Sequence, residues 1–106
     1  MLPRESRLRS SREIREVVSR GKRASGDFAT LHYKPAEDNK FAIIVSKTVG
    51  NAVVRNSVKR RMRAILADHK QHSPAVHAAF RMRPSAATAE FRDLSKEVSN
   101  LLERTR

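Results

Sequence analysis

The run Arg55-Asn56-Ser57-Val58-Lys59-Arg60-Arg61-Met62-Arg63 gathers five cations and no acid. Groups of this kind bind phosphate. Arginine's planar fork pairs two oxygens or stacks on a base, and lysine adds a compact point charge. At 100° per residue, Val54, Val58, Met62, Ile65 and Leu66 fall in one apolar sector of a helix. Asn56, Lys59, Arg60 and Arg63 fall opposite, with Arg55 and Arg61 at the boundary. A solvated helix normally mixes signs, because like charges one turn apart cost a few tenths of a kcal/mol. A whole cationic face implies that a polyanion supplies the counter-charge.

The preceding loop, Lys47-Thr48-Val49-Gly50-Asn51, extends this chemistry. It brings another cation and a helix N-terminus, which favours anions, to the same place. Gly50 permits the turn. The spaced glycines and Gly-Lys-Ser/Thr ending of a nucleotide-binding P-loop are missing. His69 and His72 stand three apart, but without cysteine, a carboxylate set or a third histidine they make no zinc site. No Ser, His and acid grouping suggests nucleophilic catalysis.

The elements that must position the cationic face can be read in outline. Ser10 and Glu13 have capping-box spacing, and Ile14, Val17 and Val18 follow at helical intervals. Gly21 suits a left-handed helix end. Lys22 to Asp27 reads as a basic turn. Phe28 to Lys34 reads as a strand with alternating faces, and Phe41 to Ser46 as a strand covered on both sides. A long helix from about Ala52 to Lys70 ends before Ser73-Pro74. A third strand spans Val76 to Met82. Phe91, Leu94, Val98, Leu101 and Leu102 mark the apolar face of a last helix, roughly Thr88 to Arg104. The order α-β-β-α-β-α predicts an α+β fold, a small α/β sandwich, in one domain over residues 1–106. Residues 1–9 read as a loosely held basic arm.

Composition agrees. The chain of 106 residues carries 23 Lys plus Arg against 11 Asp plus Glu, a net charge of +12. Such a field attracts polyanions and accelerates their encounter. Without cysteine there is no disulfide framework, thiolate nucleophile or Cys-based zinc site. No apolar run approaches the ~20 residues of a membrane span, and residues 1–10 lack the apolar centre of a signal peptide. A cytoplasmic protein is expected.

The ordered run from Ser46 through Arg63, Ser-Lys-Thr-Val-Gly-Asn-Ala-Val-Val-Arg-Asn-Ser-Val-Lys-Arg-Arg-Met-Arg, resembles the signature of the bacterial ribonuclease P protein subunit. That signature is approximately S-K-K-x-G-N-A-V-x-R-N-R-x-K-R-x-x-R. Arg7-Leu8, the Phe28 strand and Arg81-Met82-Arg83-Pro84 before the final helix also stand at family-like positions, so the resemblance covers essentially the whole chain. It implies a left-handed βαβ crossover, where chain geometry alone favours the right-handed form. It also implies a protein that assists a catalytic RNA in removing the 5′ leader of precursor tRNA. The RNA would perform the hydrolysis and hold the Mg²⁺, with no cofactor or active site in this chain alone.

By position, the resemblance assigns Lys47, Asn51, Arg55, Asn56, Lys59, Arg60 and Arg63 to the face that meets the catalytic RNA. It assigns Ile14, Val18, Leu31, Tyr33 and Ser46 to a cleft for the single-stranded leader. Ser57 replaces the family's usual Arg. Ile14 and Val18 stand where phenylalanine is common, so they offer packing in place of aromatic stacking. Three rival readings fare worse. A helix-turn-helix needs a second helix after a short turn, but a strand-like run follows Ser73-Pro74. A ribosomal protein accounts for the charge without the ordered signature. A membrane-surface helix lacks bulky aromatic anchors. RNA in preference to duplex DNA rests on the resemblance.

Overall fold

Ser10 caps the first helix, α1 (Ser11–Arg20), its hydroxyl accepting from the Glu13 amide at 3.5 Å. The computed structural model describes residues 2–106. At the other end of α1, Gly21 is extended (φ −77°), not left-handed as its position suggests. The chain runs directly from the helix into a strand, and close approach selects the glycine. A Cβ there would lie 2.5 Å from the Tyr33 carbonyl oxygen and nearer still to that of Val17.

The strand that follows, β1 (Lys22–Ser25), pairs antiparallel with β2 (Ala29–Pro35). The sequence reads β1 as a turn because Ala24 is its only apolar residue. Its partner is found in a distant helix: the Glu97 carboxylate accepts from the amides of Asp27 (2.5 Å) and Phe28 (2.9 Å) and fixes the hairpin turn. The other elements are β3 (Lys40–Ile44), α2 (Ala52–His69), β4 (Val76–Met82) and α3 (Phe91–Glu103). Short 3₁₀ turns cover Arg4–Ser6, Lys70–His72 and Pro84–Ala87.

The four-stranded sheet has the order β1-β2-β4-β3. β2 and β4 are antiparallel, while β3 and β4 are parallel and joined through α2. Strand alternation divides the side chains into two cores. On one face Leu31, Phe41, Ala78, Phe80 and Met82 pack with Val58, Met62, Ile65 and Leu66 of α2 and Leu94, Val98, Leu101 and Leu102 of α3. On the other face Ala42 and Ala79 pack with Leu8 and with Val17 of α1, flanked by Ile14, Val18 and Ile44. The architecture is the expected α+β sandwich, with helices on both sides of a mixed sheet.

Two expectations need correction. Residues 2–9 are seated, not loose. Leu2 is 1% and Leu8 5% exposed, and the Leu8 amide donates to the Phe41 carbonyl at 2.8 Å, extending the outer edge of β3. The basic composition of this segment hides two apolar anchors. Met1 lies outside the described residues. Phe91, expected on the buried stripe of α3, begins the helix and is 47% exposed.

If the segment is seated, Leu8→Ala costs about 2–4 kcal/mol of unfolding free energy in urea titration. A change below about 0.5 kcal/mol would mean a loose arm.

Candidate nucleic-acid interface

The cationic face is set by how α2 starts and by what it buries. Val49 is buried and ties the preceding loop to the core. Gly50 follows at φ +156°, and a Cβ there would meet Val54 Cβ and Cγ1 at 2.9 Å. Asn51 then caps the helix, its Oδ1 accepting from the Val54 amide at 3.0 Å. The side chain of Asn51 therefore shapes the helix start as well as standing at the interface. Lys47 is exposed in the loop, where the Ser46 and Thr48 hydroxyls bond to each other at 2.7 Å.

With Val58, Met62, Ile65 and Leu66 buried against the sheet, the opposite face is fixed. Asn56, Lys59, Arg60 and Arg63 border one open groove together with Ala64. No acidic side chain lines it. Arg55 sits lower, half-buried, with its Nε enclosed and without a hydrogen-bond partner. The structure thus brings Asn56, Lys59, Arg60 and Arg63 together, with Arg55 on their buried flank.

Arg61 has a different task. Its guanidinium donates to the carbonyls of Ala89 (2.7 Å) and Ala86 (3.3 Å), locking α2 to the segment before α3. Of the five cations in the run, this one is structural, as its boundary position allows. Ser57, where the resembled family has Arg, is partly buried on the same side of the helix as Arg61.

The proposed leader cleft is only partly assembled. Ile14, Val18 and Ile44 do converge between α1 and the sheet. Leu31 does not join them: it is 0% exposed and lies in the larger core on the opposite face. Tyr33 has the same parity and packs on that side too. Ser46 is exposed beyond the end of β3.

Besides Ala79 and Lys34, the residues of β2 and β4 on the α1 face of the sheet include Thr30, His32 and Arg81. Positional carry-over missed them. Alternation would have found them, since a core Leu31 turns Thr30 and His32 to the other face. Arg81 is exposed and is in register with Thr30. His32 is buried, and burial, reinforced by Arg81 and Arg23, holds its pKa below the ordinary 6.5. Nearby, Glu16 is paired with Lys34 at 2.8 Å, and that hydrogen bond lowers the Glu16 pKa.

Among the described residues, no cluster of three His, Cys, Asp or Glu side chains forms a metal site, and no helix is long and apolar enough to cross a membrane. His69 bonds to Ser95 at 3.1 Å and His77 to Asp38 at 2.9 Å.

An α/β/α sandwich presenting one acid-free cationic helix face belongs to the class of small basic nucleic-acid-binding proteins. Within that class the chain belongs to the ribonuclease P protein family, whose model, described as Ribonuclease P, matches residues 2–106. The ribonuclease P protein component of Corynebacterium diphtheriae is 34% identical over 98% of this chain and 96% of its own length. That of Acidothermus cellulolyticus is 35% identical over 98% and 91%. The match to the Syntrophomonas wolfei protein component is 42% identical, over 66% of this chain and 60% of that protein. The fold is that of the RNase P protein from Thermotoga maritima (TM-score 0.84, 23% identity, 92% of this chain and 96% of that one). It is equally that of the Staphylococcus aureus RNase P protein (TM-score 0.85, 21% identity, 95% of each chain).

Two measurements check this geometry. Arg60→Ala and Arg63→Ala should each lower the slope of log affinity for RNA against log salt by about one unit. Arg61→Ala should leave the slope unchanged and cost about 1–3 kcal/mol of stability through its two lost bonds to carbonyls. For His32 the pH dependence has a definite sign. Its folded pKa lies below the unfolded value, so the unfolded chain takes the proton first. Stability is complete above about pH 6.5 and falls as pH drops towards the folded pKa. His32→Gln should flatten urea midpoints between neutral and mildly acidic pH, and an unchanged slope would remove His32 as its source.

Proposed function

We propose that this chain is the protein component of a ribonuclease P ribonucleoprotein and assists removal of the 5′ leader from precursor tRNA in the cytoplasm. The observation that carries the reading is the outward face of α2, where Asn56, Lys59, Arg60 and Arg63 border one acid-free groove, in a chain of this family. That face, with Lys47 and Asn51 at its head and Arg55 on its flank, meets the catalytic RNA. Each phosphate neutralised there releases counterions, which makes the grip strong and salt-dependent.

The α1 side of the sheet, with Ile14, Val18, Ile44, Thr30 and Arg81, takes the single-stranded leader. Apolar contact from α1 and β3 supports the bases, and Arg81 meets the backbone. The chain performs no bond cleavage in this reading. Hydrolysis belongs to the RNA, whose phosphates bind the Mg²⁺ ions that activate water and stabilise the leaving oxygen. The protein neutralises phosphate charge, so less Mg²⁺ is needed to hold the complex together.

The test is cleavage of precursor tRNA by a bacterial ribonuclease P RNA at low Mg²⁺, with and without the protein. The expected result is strong stimulation that grows with leader length, and no cleavage by the protein alone. Tight RNA binding without stimulation, using RNA from a compatible source, would reduce the chain to a general RNA-binding module.

A further inference from the structure

The seated amino-terminal segment borders an open pocket of about 250 Å³ at the outer edge of β3, between that segment, α1 and α2. Leu8, Ile14 and Ala42 give it an apolar wall on the α1 side of the sheet, and Leu2 and Ile43 line it from the other side of the β3 edge. Arg7, Arg9 and Arg63 surround it, and no carboxylate lines it. It is a built site. Nε and Nη2 of Arg7 donate to the Leu2 carbonyl at 3.2 and 2.9 Å, and the Leu8 amide is bonded to Phe41.

The sheet edge adds a third kind of group. Phe41 turns its carbonyl outward to Leu8. Residues two apart along a strand point their peptide groups the same way. Ile43 therefore directs its N–H and C=O outward as well, and they find no hydrogen-bond partner among the described residues. Free groups on a strand edge are ready to pair with something.

Apolar walls, unpaired peptide donors and acceptors, and cations without acids select one kind of ligand. A free phosphate has no use for the walls, and an apolar ligand has none for the arginines. A duplex keeps its bases stacked. From these features, and on the RNA-binding reading above, we infer that this cavity is a pocket for one unpaired nucleotide. The base lies against Leu8 and Ile14 with its edge on the Ile43 peptide groups, and Arg9 and Arg63 hold the adjoining phosphates. Arg63 also borders the groove of α2, and Ile14 packs on the small core under α1. The pocket thus joins the two surfaces, and its nucleotide comes from either the catalytic RNA or the precursor leader.

The experiment is methyl NMR of the full chain titrated with a short single-stranded oligouridine. The Leu8 and Ile14 methyls should shift saturably. Arg9→Ala, at an exposed position, and Ile14→Trp, which fills the cavity, should each weaken binding by about fivefold or more. If Ile14→Trp fails to fold by circular dichroism, Arg9→Ala decides. Silent methyls, or equal binding of an abasic ribose-phosphate chain, would overturn the pocket. Shifts on adding ribonuclease P RNA alone assign the nucleotide to that RNA. Shifts that require leader-bearing rather than leaderless precursor assign it to the leader. Cleavage stimulation separates the two readings. Silent methyls with normal stimulation sink only the pocket; shifted methyls without stimulation sink the ribonuclease P role and leave the pocket standing.

Discussion

The packing of Val58, Met62, Ile65 and Leu66 against the sheet is the contact on which the rest of the molecule depends. Each of these side chains is buried, and burying one contributes about 1.5–3 kcal/mol. Repulsion between like charges one turn apart costs only a few tenths. The stripe therefore outweighs the crowding of cations behind it and fixes the rotation of α2 about its axis. Gly50, Asn51 and Arg61 refine the placement, setting where the helix begins and holding its flank to the segment before α3. The outward groove is a consequence: whatever the core does not take is presented to solvent as one positive surface.

The same reasoning explains what could be read in the sequence. Helices with strong periodicity were plain from it. α2 is found over Ala52–His69, close to its expected span, and β4 over the expected Val76–Met82. The cationic face was also legible, because a helix of known period with a known buried stripe leaves no freedom about what lies opposite. Elements whose reason is tertiary were not. β1 is nearly all polar and is held by pairing with β2 and by the reach of Glu97 from α3. Gly21 does cap the helix, but in an extended conformation, and part of what requires glycine there is the Tyr33 carbonyl, a contact that exists only once the sheet has formed. Leu8 was disguised by its basic neighbours.

The α1 side of the sheet shows where a family pattern and chain geometry must be combined. Ile14 and Val18 pack between α1 and the sheet. Leu31 and Tyr33 lie on the wrong face because a strand reverses its side chains at every residue. The two layers also differ in kind. The α2 and α3 side is a deep core with a charged exterior. The α1 side is a thin core of Leu8, Val17, Ala42 and Ala79 that leaves Arg81 exposed.

The chain contains no cysteine, so a single introduced thiol can carry a hydroxyl-radical source to a chosen place. Val53 is 78% exposed in the first turn of α2, and Lys96 is exposed on α3. The most direct test of the account is to attach the source through Val53→Cys and Lys96→Cys in turn and map strand scission in bound ribonuclease P RNA. Strong, localised scission from position 53 with little from position 96 is the predicted result. The reverse pattern, with both variants folded and bound, would contradict the assignment of the α2 face to RNA.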